Sequence, residues 1–281
     1  MSLSEAGFTL ISVRVEQRVC WATISAPPIN VMTTALFAEL AKLAEEVAVD
    51  DGIGALVLQS ADPDFFIAHF DVEAILGFPT DGEPERATKL SGFHRMCETF
   101  RTMPKATIAK VAGRVGGGGA EVSASMDMRF GILGKTVINQ MEVPLGILPG
   151  GTGTQRLPHL IGRGRAMEIV LGGVDLDART AVEWGWLNRA FENEAELDAY
   201  VANLANRIAS FPPTAVRLAK QSVLNALADP TDALLDEAHA FQKTLRDPLS
   251  AERMTAFLQQ GGQTRTGELD VANLSGRINS V

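Results

Sequence analysis

Two glutamates in this sequence occupy surroundings in which a carboxylate can do acid–base chemistry. Glu121 follows the run Gly116–Gly119 and one alanine, and Glu142 lies between two apolar residues. Charged side chains are seldom placed among apolar neighbours without a partner or a function. We therefore predict that both are acid–base groups. The alternatives are that Glu121 only complements a helix dipole and that Glu142 is a surface residue before a turn.

The glycine run before Glu121 predicts a cradle for negative charge. Four consecutive glycines carry no Cβ atoms, so a ligand can contact the backbone amides directly. The small residues from Ala120 to Met128 predict a buried helix, with Glu121 in its first turn. The unpaired N–H groups and the positive dipole end of such a helix face an anion. A tightly packed glycine turn without a ligand is the alternative.

Other catalytic motifs do not fit the sequence. No Lys-Ser or Lys-Thr pair follows the last glycine, and Glu121 breaks the G-x-G-x-x-G frame, so neither common phosphate-binding motif is present. His69, His94, His159 and His239 lack the spacing of metal ligands, and there is no G-x-S-x-G nucleophile motif. His69 ends an apolar run, where it is either a ligand or a packed or capping group. Because neither phosphate-binding motif is present, the glycine cradle is better suited to negative charge that develops during a reaction than to a nucleotide.

The composition is that of an ordinary globular protein with an acidic balance. The 281 residues are 46% hydrophobic and 21% charged, with a net charge of −9, which argues against nucleic acid or an anionic membrane as a partner. Two cysteines cannot form a disulfide framework and indicate a reducing compartment. The first eight residues lack the features of a signal peptide, and no apolar run is long enough to span a membrane. We expect a soluble, cytoplasmic protein.

The hydrophobic pattern predicts a mixed α/β body followed by helices. Strands are expected at 8–17, 19–25, 55–59, 106–111, 128–133 and 137–139, and helices at 33–50, 90–100, 163–171 and 178–184. Beyond these, helices are expected at 195–210, 214–227, 231–244 and 250–260, separated by prolines. We therefore predict a core over residues 1–200 and a helical region over 201–281. The loop 77–85 is expected to be mobile, and the polar tail 261–281 to be loose or to extend over a neighbour.

Several motifs in this order resemble those of the crotonase (enoyl-CoA hydratase/isomerase) superfamily, and the likeness runs from about residue 8 to about residue 258. The family's Ala-Gly-x-Asp-Leu/Ile turn is matched by Ala68-His69-Phe70-Asp71-Val72, and its Gly-Gly-Gly-x-Glu motif is matched by Gly117-Gly118-Gly119-Ala120-Glu121. Its Gln-Pro-Glu motif is matched by Gln140-Met141-Glu142, and its Pro-Gly-x-Gly-Gly-Thr-Gln-Arg-Leu motif is matched by residues 149–157. Any one of these motifs is weak, whereas the ordered set is specific.

The resemblance implies a fold, an assembly and a substrate class. The fold is a crotonase-type spiral of ββα turns with a C-terminal helical oligomerisation region, and the assembly is a homotrimer or a dimer of trimers. The substrate is an acyl-CoA thioester, with coenzyme A as part of the substrate and no metal or redox cofactor. Two backbone amides form an oxyanion hole for a thioester enolate.

The resemblance also implies roles for individual residues. The amides of Phe70 and Gly118 are the oxyanion donors, and Glu121 and Glu142 are the catalytic pair of a hydratase. The implied substrate-binding residues are Ala68, His69, Asp71 and Gly117.

In a hydratase, water adds across the C2=C3 bond of a trans-2-enoyl thioester. Glu121 is then expected to orient and deprotonate the water, and Glu142 to protonate the α-carbon. Two carboxylates in one apolar site titrate as a coupled pair, so one proton can stay on the pair at neutral pH. Family isomerases need only the second carboxylate, so the presence of both favours hydration. Isomerisation, thioester hydrolysis and C–C cleavage remain alternatives, as does a non-catalytic interaction or RNA-binding role, which the acidic balance disfavours.

The sequence departs from the family pattern at the oxyanion turn and at the positions that commonly contact coenzyme A. His69 stands where the turn usually has glycine, and the donor residue Phe70 is bulky. Asn30 lacks the basic residue that often precedes it, and Gln259 and Gln260 replace a usual Lys-Arg pair. These differences leave the acyl group open and predict weaker contacts to the CoA phosphates.

Overall fold

A computed structural model describes residues 7–279 of the chain. The expectation that the chain begins without a signal peptide rests on residues 1–8, most of which lie outside the described residues. Between residues 7 and 279, no helix is both long and apolar enough to cross a lipid bilayer.

The strands form two sheets. One has the order β1-β2-β3-β5-β7-β10 and the other the order β4-β6-β8-β9. All neighbouring pairs are parallel except β1–β2 and β8–β9, which are antiparallel. The strands are β1 (Ile11–Glu16), β2 (Val19–Ile24), β3 (Ala55–Ser60), β4 (Phe65–Ile67), β5 (Ala106–Val111), β6 (Arg114–Gly116), β7 (Met128–Ile132), β8 (Val137–Asn139), β9 (Leu176–Asp177) and β10 (Arg189–Phe191).

Helices separate successive pairs of strands and form the C-terminal part of the chain. A short 3₁₀ turn lies at Val143–Leu145. The helices are α1 (Thr34–Val49), α2 (Val72–Leu76), α3 (Gly92–Thr102), α4 (Gly117–Ser125), α5 (Gly153–Ile161), α6 (Arg163–Gly172), α7 (Ala178–Trp184), α8 (Glu194–Ala209), α9 (Pro213–Leu224), α10 (Thr231–Thr244), α11 (Pro248–Gln259), α12 (Arg265–Leu269) and α13 (Val271–Arg277).

The chain winds as a spiral in which each turn adds one strand to each sheet. The consecutive strands β3 and β4 lie in different sheets, as do β5 and β6 and then β7 and β8, and helices follow each pair. Parallel pairing requires such crossovers, because successive strands must return to the same end of the sheet. The predicted fold class, a mixed α/β spiral of ββα turns, is confirmed.

The interior is built from the apolar runs that predicted the strands and helices. All six residues of β5 are buried, as expected of a strand covered on both faces. The buried stripe of α1 includes Leu36, Leu40, Leu43 and Val47 at helical spacing, and the Thr33 side chain accepts a hydrogen bond from the Leu36 amide at the start of the helix. Most of the predicted elements are therefore found at their expected places.

Two features around the glycine run differ from expectation. The glycines themselves form the first turn of α4, so Glu121 lies in the second turn. Helix α5 was not predicted, because it begins with glycine, contains Pro158 and has no local side-chain cap. Carboxylates from distant parts of the chain bind its first amides instead: Glu121 accepts from Gly153 and Glu237 accepts from Thr154.

The C-terminal segment is folded against its own chain, which corrects the expectation for residues 261–281. Helices α12 and α13 lie within the tail, and Val271, Leu274 and Ile278 are buried in one cluster with Ile75 and Met141. The tail is polar overall, but these spaced apolar residues suffice to dock it. Its last two residues, 280 and 281, lie outside the described residues.

The predicted division at residue 200 falls inside α8. The buried residues of this helix, including Leu197, Val201 and Ala205, pack with β-strand residues such as Val57 and Ile108 on the outer face of the larger sheet. Helix α9 follows and buries none of its residues within this chain. The two-region organisation stays a prediction.

Candidate active site

The first part of the site is the turn that follows β4, residues 68–71, which we call the Phe70 turn. Met32 forms a parallel bridge opposite Phe70: its amide donates to the His69 carbonyl at 2.8 Å, and its carbonyl accepts from the Asp71 amide at 3.1 Å. In a parallel bridge the residue between these two bonds points its own N–H to the other side. The Phe70 amide therefore faces away from Met32.

The second part is the start of α4, which lies directly against the Phe70 turn. A Cβ atom added to Gly118 would stand 3.2 Å from the Phe70 Cβ and 3.5 Å from the Phe70 nitrogen. Such an approach would make even a methyl side chain a tight fit, which favours the glycine. Because Gly118 is the second residue of α4, its N–H has no partner within the helix. The Phe70 and Gly118 amides thus lie side by side, next to the positive end of the helix.

Glu121 is held by backbone amides from the segment before and at the start of α5. Its Oε1 accepts hydrogen bonds from Gly151 at 2.9 Å and from Gly153 at 2.7 Å. The side chain is almost completely buried, with the residue 4% exposed. Both bonds go to the same oxygen, so Oε2 is left to meet a substrate or a water molecule.

Glu142 lies immediately before the 3₁₀ turn and close to Gly117. Its Oε1 would be 3.1 Å from a Cβ atom on Gly117, a glycine with φ +43°. The residue is 8% exposed, and its Oε2 is buried without a hydrogen-bond partner among the described residues. A buried carboxylate with so few donors is poorly suited to carry a charge.

The surroundings separate the proton affinities of the two carboxyls. Burial, followed by the charge of Glu237, raises the pKa of Glu121 to about 7, while the Gly153 and Gly151 amides oppose the rise. Burial and then the charge of Glu121 raise the pKa of Glu142 well above its ordinary value. The Gly151 and Gly153 amides stabilise the charged form of Glu121. The proton that the two carboxyls share therefore resides on Glu142.

These groups line one cavity of about 410 Å³, which we call the main cavity because both glutamates lie in its wall. His69, Phe70, Gly117, Gly118 and both glutamates lie in its wall. The remaining wall is largely apolar and rich in phenylalanine, and its apolar side chains include Phe37, Val72, Ile75, Phe78, Phe93, Leu145, Ile147, Leu148 and Phe241. An apolar chamber with a few convergent polar groups is typical of a small-molecule site.

The implied substrate-binding residues divide between the cavity and its support. His69 and Gly117 line the main cavity. Ala68 is buried in a small cluster with Ile29 and Phe65. Asp71 caps α2, where its Oδ1 accepts a hydrogen bond from the Glu73 amide at 3.0 Å. A substrate-binding role for Ala68 and Asp71 stays a prediction.

A third buried carboxylate, Glu237 on α10, was not found from the sequence. Its Oε1 accepts hydrogen bonds from the amide and the hydroxyl of Thr154, and its Oε2 lies 3.2 Å from Nε2 of His94. The His94 Nε2 is also 3.0 Å from the Gly150 carbonyl. Glu237 therefore fixes the segment whose amides hold Glu121. In sequence it resembles any charged residue on an amphipathic helix, so no local pattern marks it.

The two neighbouring amides can bind an oxygen that gains negative charge. The two carboxyls in the same cavity wall can take up and release protons. Backbone donors that are already oriented stabilise such charge without reorganisation. Between residues 7 and 279, no cluster of three His, Cys, Asp or Glu side chains is arranged to hold a metal ion.

The chain is similar in sequence to known proteins. Residues 14–264 match the family model described as enoyl-CoA hydratase/isomerase. The short-chain-enoyl-CoA hydratase of Clostridium acetobutylicum is 30% identical over 248 residues, covering 87% of this chain and 93% of the relative.

Solved structures give the same result. A Streptomyces avermitilis protein provisionally named an enoyl-CoA hydratase superposes with a TM-score of 0.88 at 33% identity, over 98% of this chain and all of the other. An enoyl-CoA hydratase from Bacillus anthracis superposes with a TM-score of 0.70 at 26% identity, over 90% of this chain and 97% of the other.

Proposed function

Because this chain belongs to the enoyl-CoA hydratase/isomerase family, we propose that it hydrates a 2-enoyl-CoA thioester. The observation that carries the proposal is the placement of Glu121 and Glu142 around one cavity beside the Phe70 and Gly118 amides. A hydratase needs both carboxylates, whereas an isomerase needs only the second.

In this proposal the two amides hold the thioester carbonyl oxygen. As a nucleophile attacks C3, the electron pair of the C2=C3 bond moves toward the carbonyl, and the oxygen gains the charge of an enolate. Each amide placed in this way contributes roughly 10²–10³ in rate. The positive end of α4 acts on the same oxygen.

The two carboxyls have complementary tasks. Glu121, the less basic of the two, takes a proton from water as the water oxygen bonds to C3. Glu142, which holds the shared proton, delivers it to C2 as the enolate collapses. The product is a 3-hydroxyacyl-CoA, and the pair again holds one proton. Two carboxyls whose environments push their pKa values apart often serve as the acid and the base of one reaction.

The remaining parts of the proposal concern the substrate and the cofactor. The apolar wall of the main cavity takes the acyl group, and coenzyme A serves as the carrier of the thioester. We propose that no metal or redox group takes part, because the two amides and the two carboxyls supply every proton and charge that the addition requires.

The test is a reaction with crotonyl-CoA and purified protein. Hydration removes the enoyl absorbance and yields a product heavier by one water. Thioester hydrolysis would instead release the CoA thiol, which a thiol reagent detects. With a 3-enoyl-CoA as substrate, isomerisation would create the conjugated absorbance without a change in mass. Absence of the hydrated product from crotonyl-CoA and from longer 2-enoyl-CoA thioesters would overturn the proposal.

A further inference from the structure

The C-terminal segment 263–268 contacts the chain before, within and directly after the Phe70 turn, and we call this segment the clasp. The Gln263 side chain accepts a hydrogen bond from the Val72 amide at 2.7 Å. Glu268 lies 3.0 Å from the His69 imidazole, and Arg265 pairs with Asp62 at 2.9 Å in the loop before β4. The clasp therefore lies across the whole segment that delivers the Phe70 amide to the cavity.

The geometry around His69 places hydrogens on both ring nitrogens. Nδ1 lies 2.7 Å from the Phe70 carbonyl oxygen, which can only accept, so Nδ1 carries a hydrogen. Nε2 faces Oε1 of Glu268, which also accepts from the Gln263 amide at 2.7 Å. A histidine is a stronger base than a glutamate, so the proton between them belongs to the imidazole. The pair is an imidazolium and a carboxylate, each side chain 2% exposed.

The proton affinities agree with this assignment. Burial opposes the charge on His69, but Glu268, the Phe70 carbonyl and Asp71 outweigh it and raise the His69 pKa. Burial likewise opposes the charge on Glu268, but His69, the Gln263 amide and Arg114 lower its pKa. A buried pair of this kind persists because each charge has a partner and further hydrogen bonds.

The ion pair reaches the Phe70 amide through the backbone. The peptide group before Phe70 is held by the Met32 amide, which donates to the His69 carbonyl. The peptide group after it is held on one side by the Met32 carbonyl, which accepts from the Asp71 amide, and on the other by the His69 imidazolium, which donates to the Phe70 carbonyl. With both flanking peptides fixed, the direction of the Phe70 N–H is fixed as well.

We propose that His69 and Glu268 are positioning residues that aim the Phe70 amide at the substrate oxygen. The proposal rests on the hydratase function proposed above. Neither side chain exchanges a proton with the substrate. Where the family pattern has glycine in this turn, this chain has an imidazolium paired with Glu268 of the clasp, so the direction of the Phe70 amide depends on this ion pair.

Glu268→Gln is the principal test, because it keeps the shape of the side chain and removes its charge. The imidazolium then loses its counter-ion and deprotonates, and a single ring hydrogen must serve two acceptors. We expect kcat to fall about tenfold, less than the loss of a whole oxyanion donor, because the amide is misaimed rather than removed. KM is expected to change by less than about threefold, since most of the cavity wall is untouched.

Arg265→Gln is the matched control. It removes a charge from the same helix but leaves the His69–Glu268 pair, so it is expected to lower the melting temperature slightly and to leave kcat within about twofold. Equal losses of kcat in the two variants would show that docking of the helix matters and not the ion pair, which overturns the proposal. Wild-type kcat in Glu268→Gln would overturn it as well.

Two readouts do not depend on turnover. Nitrogen chemical shifts of ¹⁵N-histidine, assigned with a His69→Gln variant, are expected to show a doubly protonated His69 at a pH just above the ordinary histidine pKa of 6.5 in the wild type and a neutral ring in Glu268→Gln. Binding of acetoacetyl-CoA, followed through the absorbance of its enolate, is expected to weaken about tenfold in Glu268→Gln but not in Arg265→Gln.

These readouts also separate the two proposals. A neutral His69 in the wild type, or equal acetoacetyl-CoA binding in all three proteins, overturns the positioning role while leaving the hydratase assignment intact. A wild-type protein that neither binds nor converts any acyl-CoA overturns both.

Discussion

Oε1 of Glu121 lies 2.7 Å from the amide nitrogen of Gly153, the first residue of α5. A carboxylate on α4 therefore caps a second helix and is oriented by that helix in return. The contact lowers the pKa of Glu121 against the effect of burial, which raises it. This contact between Glu121 and Gly153 explains how a carboxyl inside an apolar cavity can still act as a base near neutral pH.

Replacement of either carboxyl tests the acid–base assignment. Glu121→Gln and Glu142→Gln are each expected to lower kcat by about 10²–10⁴-fold, roughly 2.7–5.5 kcal/mol of barrier. Because the two act together in one addition, the double variant should be little worse than either single variant. Steady-state kinetics with a 2-enoyl-CoA give the answer. The exposed Glu183→Gln is the control, with unchanged kcat expected. A severe loss in Glu142→Gln alone would indicate an isomerase.

Stability should depend on pH through the same pair. Glu121 has a folded-state pKa of about 7 against an ordinary 4.5, so at intermediate pH the folded protein holds a proton that the unfolded chain has released. This contribution is fully present below about pH 4.5 and is lost as the pH rises through about 7. Urea unfolding of wild type and Glu121→Gln, compared from about pH 5 to about pH 8, is expected to show the steeper fall in the wild type. Identical slopes would contradict the shifted pKa.

The Gly118 amide can be removed without touching a side chain. Gly118→Pro deletes the N–H and is expected to lower kcat by at least about 10²-fold. Gly118→Ala keeps the N–H but places its Cβ 3.2 Å from the Phe70 Cβ, so a smaller loss is expected. Kinetics are compared at equal folded fraction, verified by circular dichroism. A folded Gly118→Pro variant with wild-type kcat would exclude this amide from the reaction.

Exposed apolar residues on and near α9 predict self-association. Leu218 is 50% exposed, Val223 70% and Leu227 49%, a row that a single chain leaves in contact with water. The family resemblance implies the number of subunits, which is that of a homotrimer or a dimer of trimers. Light scattering at micromolar concentration should give that mass, and Val223→Asp should reduce it, whereas Gln221→Asp on the same helix should not. A monomer mass for the wild type would refute the prediction.

Contacts to coenzyme A should be weaker than in relatives with the usual basic pair. Gln259 and Gln260 can donate hydrogen bonds to phosphate but carry no positive charge, so the ionic part of each contact is lost. The double variant Gln259→Lys, Gln260→Arg is expected to bind acetyl-CoA at least about tenfold more tightly. Calorimetric titration measures this, with Gln221→Lys as a control for added charge. No binding to the wild type at millimolar acetyl-CoA would indicate a different carrier.

Much of the site follows from the sequence because its groups lie in short local motifs. Glu121 stands beside the glycines that supply the Gly118 amide, and Phe70 and Glu142 each belong to a few characteristic residues. The alternation of strands and helices likewise predicts a mixed α/β body, since periodicity is a local property of the chain. The spiral winding was implied by the family resemblance. Even so, the run of glycines was predicted to precede a helix that it in fact begins, because the close approach of the Phe70 turn overrides the low helix propensity of glycine.

Residues that act on the site from a distance could be found only in the tertiary structure. Glu237 bonds to Thr154, 83 positions away, and Glu268 bonds to His69, 199 positions away. A glutamate on an amphipathic helix has the same sequence pattern whether it faces water or a buried partner. Which of the two it faces depends on how the helix docks, and docking is decided by packing between segments far apart in the chain. The sequence alone therefore determined which groups we propose to react, and the tertiary structure decided what holds them in place.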